Sequence, residues 1–178
     1  FLGRDYSLTD IVIGEKGQRM PVSARVYLDG AIAGIIGAAI VAILFLFVDA
    51  VTRLPLYTPT VLGHGLFVGA EDLASTESAE VSLKLALLYT WVHWLAFIVL
   101  GLIAARLLSL AKRDLSLALS ILLLFFILEF GFVGTWFILA EPVLDELSWT
   151  MVLLGNLLAA TGMAIYLQLR NPNRKVRP

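Results

Sequence analysis

The sequence contains no cysteine among its 178 residues and only two histidines. The absence of cysteine excludes disulfide bonds, thiolate metal sites, cysteine nucleophiles and cysteine-ligated iron–sulfur clusters. Charged residues make up only 15% of the chain, with a formal net charge of −1. No basic stripe with interleaved aromatic residues is present, so nucleic acid is not an expected partner.

Hydrophobic residues, by contrast, make up 60% of the chain, and the mean hydropathy is +0.90. Four apolar stretches cover about residues 28–50, 85–108, 115–140 and 149–169. Each has close to or above the ~20 residues that a helix needs to cross a hydrocarbon core. Lipid cannot satisfy backbone polar groups, so each stretch must close its own hydrogen bonds. The sequence therefore predicts an all-α integral membrane protein with four transmembrane helices.

Positive charges lie almost entirely on one side of these predicted spans. Eleven of the 13 Lys and Arg residues fall before the first span, around the connection between the second and third, or after the fourth. The two others are Arg53 and Lys84. Because cytoplasmic segments are enriched in Lys and Arg, both termini are predicted to be cytoplasmic.

The chain is accordingly divided into three parts. Residues 1–25 form a cytoplasmic N-terminal tail, with a candidate short strand at 11–13. Residues 26–170 form the four-helix transmembrane domain, and 171–178 form a basic cytoplasmic C-terminal tail. An ordered tail of this glycine-containing composition would indicate that it lies against another part of the structure or a partner chain.

The predicted outer loop, residues 51–82, is long for a four-span protein and begins with an apolar half. Thr58 and Pro59 are typical of a helix start, with Thr58 as the cap and Pro59 at the first helical position. A short interfacial helix from Pro59 to about Phe67 is predicted to lie along the membrane surface. It either fills space between the span ends or docks an external protein.

The first span carries a face of small residues. Gly30 and Gly34 form a G-x-x-x-G pair, and Ala33 and Gly37 repeat the same spacing on the adjacent face. Close backbone approach through small residues drives helix packing in lipid. This face is therefore a predicted helix contact, either within the chain or with another protein.

Three polar residues interrupt the later spans: His93, Glu129 and Asn156. At ~1.5 Å of rise per residue, they lie about 11 to 16 Å below the outer ends of their helices. Shared depth permits one cluster, which Tyr89 joins from one helical turn before His93. Such residues are costly in a membrane and indicate a function or a specific partner. The alternatives are a polar contact between helices, a proton or ion path through Glu129 and His93, and binding of a cofactor or partner helix.

His93 is also a candidate single axial ligand for a haem or a chlorin. A bis-histidine haem within the chain is excluded because His64 falls in the predicted outer loop. A dinuclear carboxylate site requires Glu-x-x-His pairs, which the sequence lacks. At the outer boundary of the first span, Asp49 and Arg53 are four residues apart and are predicted to form a local ion pair.

Two segments carry a resemblance to known proteins: DAVTRLPLYTPTVLG at 49–63 and YTWVHWLAF at 89–97. They resemble a group of small, uncharacterised bacterial four-helix integral membrane proteins. The resemblance covers the first two spans and their loop. It implies a location in the bacterial inner membrane and brings no activity with it.

The function expected from these observations is that of a non-catalytic accessory subunit in a larger membrane complex of energy transduction, respiratory or photosynthetic. Its partners would be other integral membrane subunits and bound lipids, and it would need no cofactor of its own. The alternatives are a small proton- or ion-coupled transporter using Glu129 and His93, and a haem- or chlorin-binding subunit using His93.

Overall fold

The computed structural model describes residues 22–69, 81–110, 116–136 and 148–170. These ranges contain five helices and no strand, so the all-α prediction is confirmed for them. The predicted strand at 11–13 lies outside them. The helices are α1 Val22–Thr52, α2 Tyr57–Phe67, α3 Leu83–Leu110, α4 Leu117–Trp136 and α5 Trp149–Arg170.

Four of these helices, α1, α3, α4 and α5, are long and apolar enough to cross a membrane. A helix of ~20 residues spans about 30 Å, which is the thickness of the hydrocarbon core. Large apolar side chains cover their outer surfaces; Phe47, Trp91 and Phe130 are 67%, 78% and 75% exposed. A helix that is apolar on its outer surface as well as its packed face needs lipid around it. The chain is therefore a multi-pass membrane protein.

Several helix boundaries differ from the predicted ones. α1 begins at Val22, so residues 22–25 belong to the first helix and not to the predicted N-terminal tail. Pro21 directly precedes this helix, and no residue after it breaks the helix until the turn that follows Thr52. α4 begins at Leu117, because the Ser116 hydroxyl accepts a hydrogen bond from the Leu119 amide at 3.2 Å and caps the helix. Residues 137–140 of the predicted third span lie outside the described ranges.

The small residues of α1 form the contact with α3. A Cβ atom added to Gly30 would lie 2.8 Å from the carbonyl oxygen of Gly101, and one added to Gly34 would meet the carbonyl oxygen of Phe97. The two backbones therefore approach as closely as glycine permits. The contact face predicted from the G-x-x-x-G pair is used within the chain.

α1 occupies the centre of the bundle, because it packs most extensively on α3 and next on α5, whereas α4 packs on α5 and only sparsely on α3. The core between these helices is built from small residues and a few larger ones. Gly37 of α1 meets Met163 of α5, with an added Cβ only 2.7 Å from the Met163 sulfur. Fully buried core residues include Ala33, Ala38, Ala104, Leu124, Ala159, Ala160, Met163 and Ala164.

Polar contacts join the helices at the end of the bundle where α1 begins and α5 ends. Arg170 donates from Nε to Asp29 Oδ1 at 3.1 Å, and the Tyr166 hydroxyl donates to the same oxygen at 3.4 Å. Gln168 Nε2 donates to the Ser120 hydroxyl at 3.0 Å. These contacts connect α5 to both α1 and α4 where side chains reach the polar interface.

Replacing Gly34 by Ala is expected to destabilise the protein, because the new methyl group collides with the α3 backbone. Overpacking of this kind costs about 1–3 kcal/mol. The matched control is Gly134→Ala, since an added Cβ at Gly134 meets no atom within 4 Å. Thermal unfolding in detergent should show a lower midpoint for Gly34→Ala than for the wild-type protein. The midpoint of Gly134→Ala should not be lowered. Equal midpoints for the two variants would contradict the close α1–α3 contact.

The cytoplasmic position of both termini, predicted from the charge distribution, can be measured directly because the chain has no cysteine. We expect a single cysteine at Glu71 to react with a membrane-impermeant maleimide in intact cells. A single cysteine at Lys112 should react only after permeabilisation. The opposite pattern would mean that the termini face outwards.

Candidate functional site

A buried carboxyl group near the end of α1 holds the start of α2. Asp49 is only 1% exposed, and its two carboxyl oxygens accept hydrogen bonds from Thr58. The Thr58 amide donates to Oδ2 at 2.8 Å, and the Thr58 hydroxyl donates to Oδ1 at 2.6 Å. An aspartate from another helix thus satisfies a backbone donor in the first turn of α2. We call this pair of hydrogen bonds the Asp49–Thr58 contact.

The prediction that Thr58 caps the helix is therefore wrong. α2 begins at Tyr57, and the residue before it, Leu56, has the left-handed conformation with φ 68° and makes no side-chain capping bond. A left-handed non-glycine residue costs about 1–2 kcal/mol. The Thr58 hydroxyl donates to Asp49 instead of accepting from its own helix. The Asp49–Thr58 contact offsets the cost of this tight turn.

α2 also packs on the start of α3. Gly63 lies against Leu85, where an added Cβ would be 2.5 Å from the carbonyl oxygen. The Thr60 hydroxyl donates to the Leu56 carbonyl at 2.7 Å and lies 3.4 Å from the Ser82 carbonyl oxygen. α2 therefore bridges the ends of α1 and α3 on the side of the bundle opposite to the first residues of α1.

Arg53, in the turn between α1 and α2, lies over an aromatic ring. Its guanidinium carbon is 4.8 Å from the centre of the Tyr57 ring, within the range of a cation–π interaction. Both oxygens of Asp49 meanwhile bind Thr58. The ion pair between Asp49 and Arg53 stays a prediction.

The structure joins two of the polar residues found inside the spans. Asn156 of α5 donates from Nδ2 to Glu129 Oε1 of α4 at 2.9 Å. Asn156 is buried, with 7% of its surface exposed. An amide is a suitable partner for a carboxyl group in lipid, because each would otherwise lack a hydrogen bond. This bond connects α4 to α5 in the middle of the bundle.

His93 makes a different contact. Its Nε2 lies 3.1 Å from the carbonyl oxygen of Ala38 in α1, and its ring packs 4.7 Å from the Phe97 ring and 6.0 Å from the Tyr89 ring, centre to centre. No hydrogen bond joins His93 to Glu129 or Asn156 within the described ranges. The predicted four-residue cluster is therefore divided. Asn156 bonds to Glu129, whereas His93 bonds to the Ala38 backbone and has the Tyr89 ring beside it.

A cavity of about 570 Å³ lies between the helices and receives residues from all five of them. α1 contributes residues between Val41 and Leu46. Leu56 and four residues of α2, from Thr58 to Leu66, line the cavity at the bridged end of the bundle. Most of the described lining is apolar, and none of the described lining residues carries a formal charge. Polar lining residues are Thr58, Tyr89, Thr90, His93, Trp94 and Asn156.

Sequence reasoning singled out His93, Asn156 and Tyr89 but gave no indication of the cavity that they share. Their depth was readable from helical rise, whereas the direction of each side chain depends on how the helices rotate against one another. It also missed the Asp49–Thr58 contact and the pairing of Asp29 with Arg170. The signal that could have indicated the Asp49–Thr58 contact is an acidic residue at a span boundary, followed nine residues later by Thr-Pro.

No family model, curated protein or solved structure matches this chain.

Replacing Asp49 by Ala is expected to release α2, because the Thr58 amide and hydroxyl lose their acceptor. Hydrogen bonds to an acidic group contribute about 1.5–3 kcal/mol, so unfolding should become easier by that order. Hydrogen exchange should be faster in α2 than in the wild-type protein. The control is Thr52→Ala, which removes one exposed hydroxyl bond to Val48. Unchanged exchange in α2 of the Asp49 variant would contradict this role.

Proposed function

We propose that this chain is a bacterial inner-membrane protein that binds a neutral apolar molecule taken from the bilayer. The cavity among its helices supports this proposal. Its volume of about 570 Å³ falls within the ~300–1,000 Å³ typical of ligand sites. Its lining is mostly apolar with a few convergent polar groups, which is the composition of small-molecule sites.

The packing elsewhere in the bundle argues against an accidental gap. Protein interiors normally contain few voids larger than a water molecule, because the atoms that line an empty space lose dispersion contacts. Around Gly30 and Gly34 the backbones approach closely, so the sequence is able to close its helices tightly. The open volume reaches the lipid-facing residues Ile43 and Leu46, so it is expected to be filled by an apolar molecule from the bilayer.

The cavity has a route to lipid. Two of its lining residues, Ile43 and Leu46, are 67% and 45% exposed on the surface of α1. α3 and α4 meet only sparsely, at contacts such as that between Leu100 and Gly131. An apolar molecule can therefore enter from the side without crossing the polar interface.

The role of accessory subunit in an energy-transducing complex stays a prediction. One of its supports has changed, since the small-residue face of α1 packs on α3 and α5 within the chain. Another of its supports is the N-terminal tail, of which residues 1–21 lie outside the described ranges. A lipid-binding chain can serve as such a subunit, and both proposals assign it the same membrane.

The two alternatives based on His93 also stay predictions. A proton path through His93 and Glu129 would have to connect groups that bind different partners, Ala38 and Asn156. A haem or chlorin would have to use the other ring nitrogen of His93, because Nε2 faces the Ala38 carbonyl. Neither is favoured by a specific contact.

Filling the cavity is expected to expel the bound molecule. Ala42 lines the cavity, so Ala42→Phe places a ring in the bound molecule's space. The control is Ala118→Phe, which adds the same ring to an exposed position of α4. Organic extracts of the purified proteins, analysed by mass spectrometry, should contain the same neutral apolar compound for wild type and Ala118→Phe.

The extract of Ala42→Phe should be strongly depleted in that compound. Folding of each variant is checked by its elution volume and helical circular dichroism. Wild-type protein that carries no apolar compound beyond the detergent and bulk lipid found with any membrane protein would contradict the proposal.

A further inference from the structure

His93 lines the cavity, and its contact with the α1 backbone determines which of its ring nitrogens carries the hydrogen. His93 Nε2 lies 3.1 Å from the carbonyl oxygen of Ala38, and a carbonyl oxygen only accepts. Nε2 therefore carries the hydrogen of this bond. In the neutral ring, the stable form inside an apolar membrane protein, Nδ1 then holds a lone pair. Among the described residues, no donor bonds to Nδ1.

A second polar group stands one helical turn away. The Tyr89 ring is 6.0 Å from the His93 ring, centre to centre, and both residues line the cavity. No hydrogen bond of the Tyr89 hydroxyl to another described residue is present. A phenolic hydroxyl can both donate and accept. His93 and Tyr89 thus present an acceptor and a donor to the same space.

Asn156 of α5 also lines the cavity. It donates one amide hydrogen to Glu129, and no described residue donates to its carbonyl oxygen Oδ1. An amide oxygen accepts hydrogen bonds. His93 and Asn156 thus each bring an acceptor to the residues that line the cavity, and a ligand with a hydrogen-bond donor suits them.

The absence of charge on the described cavity lining restricts the ligand further. An anionic phosphate or carboxylate, or a cationic amine, would lose its hydration without meeting an opposite charge there. Phospholipid headgroups and ionised fatty acids are therefore poor occupants. A neutral hydroxyl group is the simplest group that donates to His93 and accepts from Tyr89.

We propose, resting on the function proposed above, that the cavity selects a neutral lipid-soluble alcohol. Its hydroxyl group donates to His93 Nδ1 and accepts from the Tyr89 hydroxyl, and its hydrocarbon part fills the apolar volume beneath α2.

The experiment compares three probes of nearly the same shape: dodecanol, its methyl ether and a matching alkane. Each competes with tritiated dodecanol for the purified wild-type protein in detergent. The ether can accept from Tyr89 but cannot donate to His93. Dodecanol should compete about tenfold better than the ether, which is the upper range for one hydrogen bond. The ether should in turn compete better than the alkane.

Three variants test which residues cause the preference for the alcohol over the ether. His93→Phe should make alcohol and ether equal competitors, whereas Tyr89→Phe should weaken both alike and leave their ratio unchanged. Trp91→Phe is the control, because Trp91 lies in α3 between Tyr89 and His93 but is 78% exposed and outside the described cavity lining, and it should behave as wild type. The wild-type comparison needs no variant, so it decides the question even if one variant fails to fold.

The outcomes separate this inference from the proposed function. Saturable binding with equal affinity for alcohol, ether and alkane overturns the selection of an alcohol and leaves the apolar site standing. A tenfold preference that persists in His93→Phe overturns the role of His93. No saturable binding of any probe overturns the site and the selection together.

Discussion

The close approach of α1 and α3 is the contact on which the rest of the structure depends. Lipid supplies no hydrophobic force between helices, so the attraction must come from atoms in direct contact. Gly30 and Gly34 bring the α1 backbone against the backbone around Gly101. This contact places α1 in the centre, where it also receives α5 through Gly37 and Met163. α4 then attaches to α5 and meets α3 only sparsely.

The same arrangement places the cavity within the part of the chain that the structure describes. The glycine contacts of α1 lie in its first half, and its cavity-lining residues, between Val41 and Leu46, follow them. α2 also lines this cavity, held by the Asp49–Thr58 contact on one side and by the contact of Gly63 with Leu85 on the other. The α1 residues that line the cavity thus come after those that pack most closely on α3.

The polar groups inside the spans have different roles in this arrangement. Glu129 and Asn156 satisfy one another and connect α4 to α5. His93 binds the α1 backbone through Nε2 and is also one of the residues that line the cavity. A shared depth in the membrane therefore did not mean a shared contact. It reflected two separate interactions, that of Asn156 with Glu129 and that of His93 with Ala38.

The number of spans, the apolar surface and the use of small residues on α1 were determined by the sequence alone. Each depends on local composition or on helical spacing, which the chain carries within itself. Helix ends were harder to predict from the sequence. At the start of α2, for example, the hydrogen-bond partner of Thr58 is Asp49, a side chain of another helix. The pairing of Asn156 with Glu129, the contact of His93 with Ala38 and the cavity were decided only by the tertiary structure. All three depend on how each helix is rotated about its axis, and that rotation is set by packing between segments far apart in the chain.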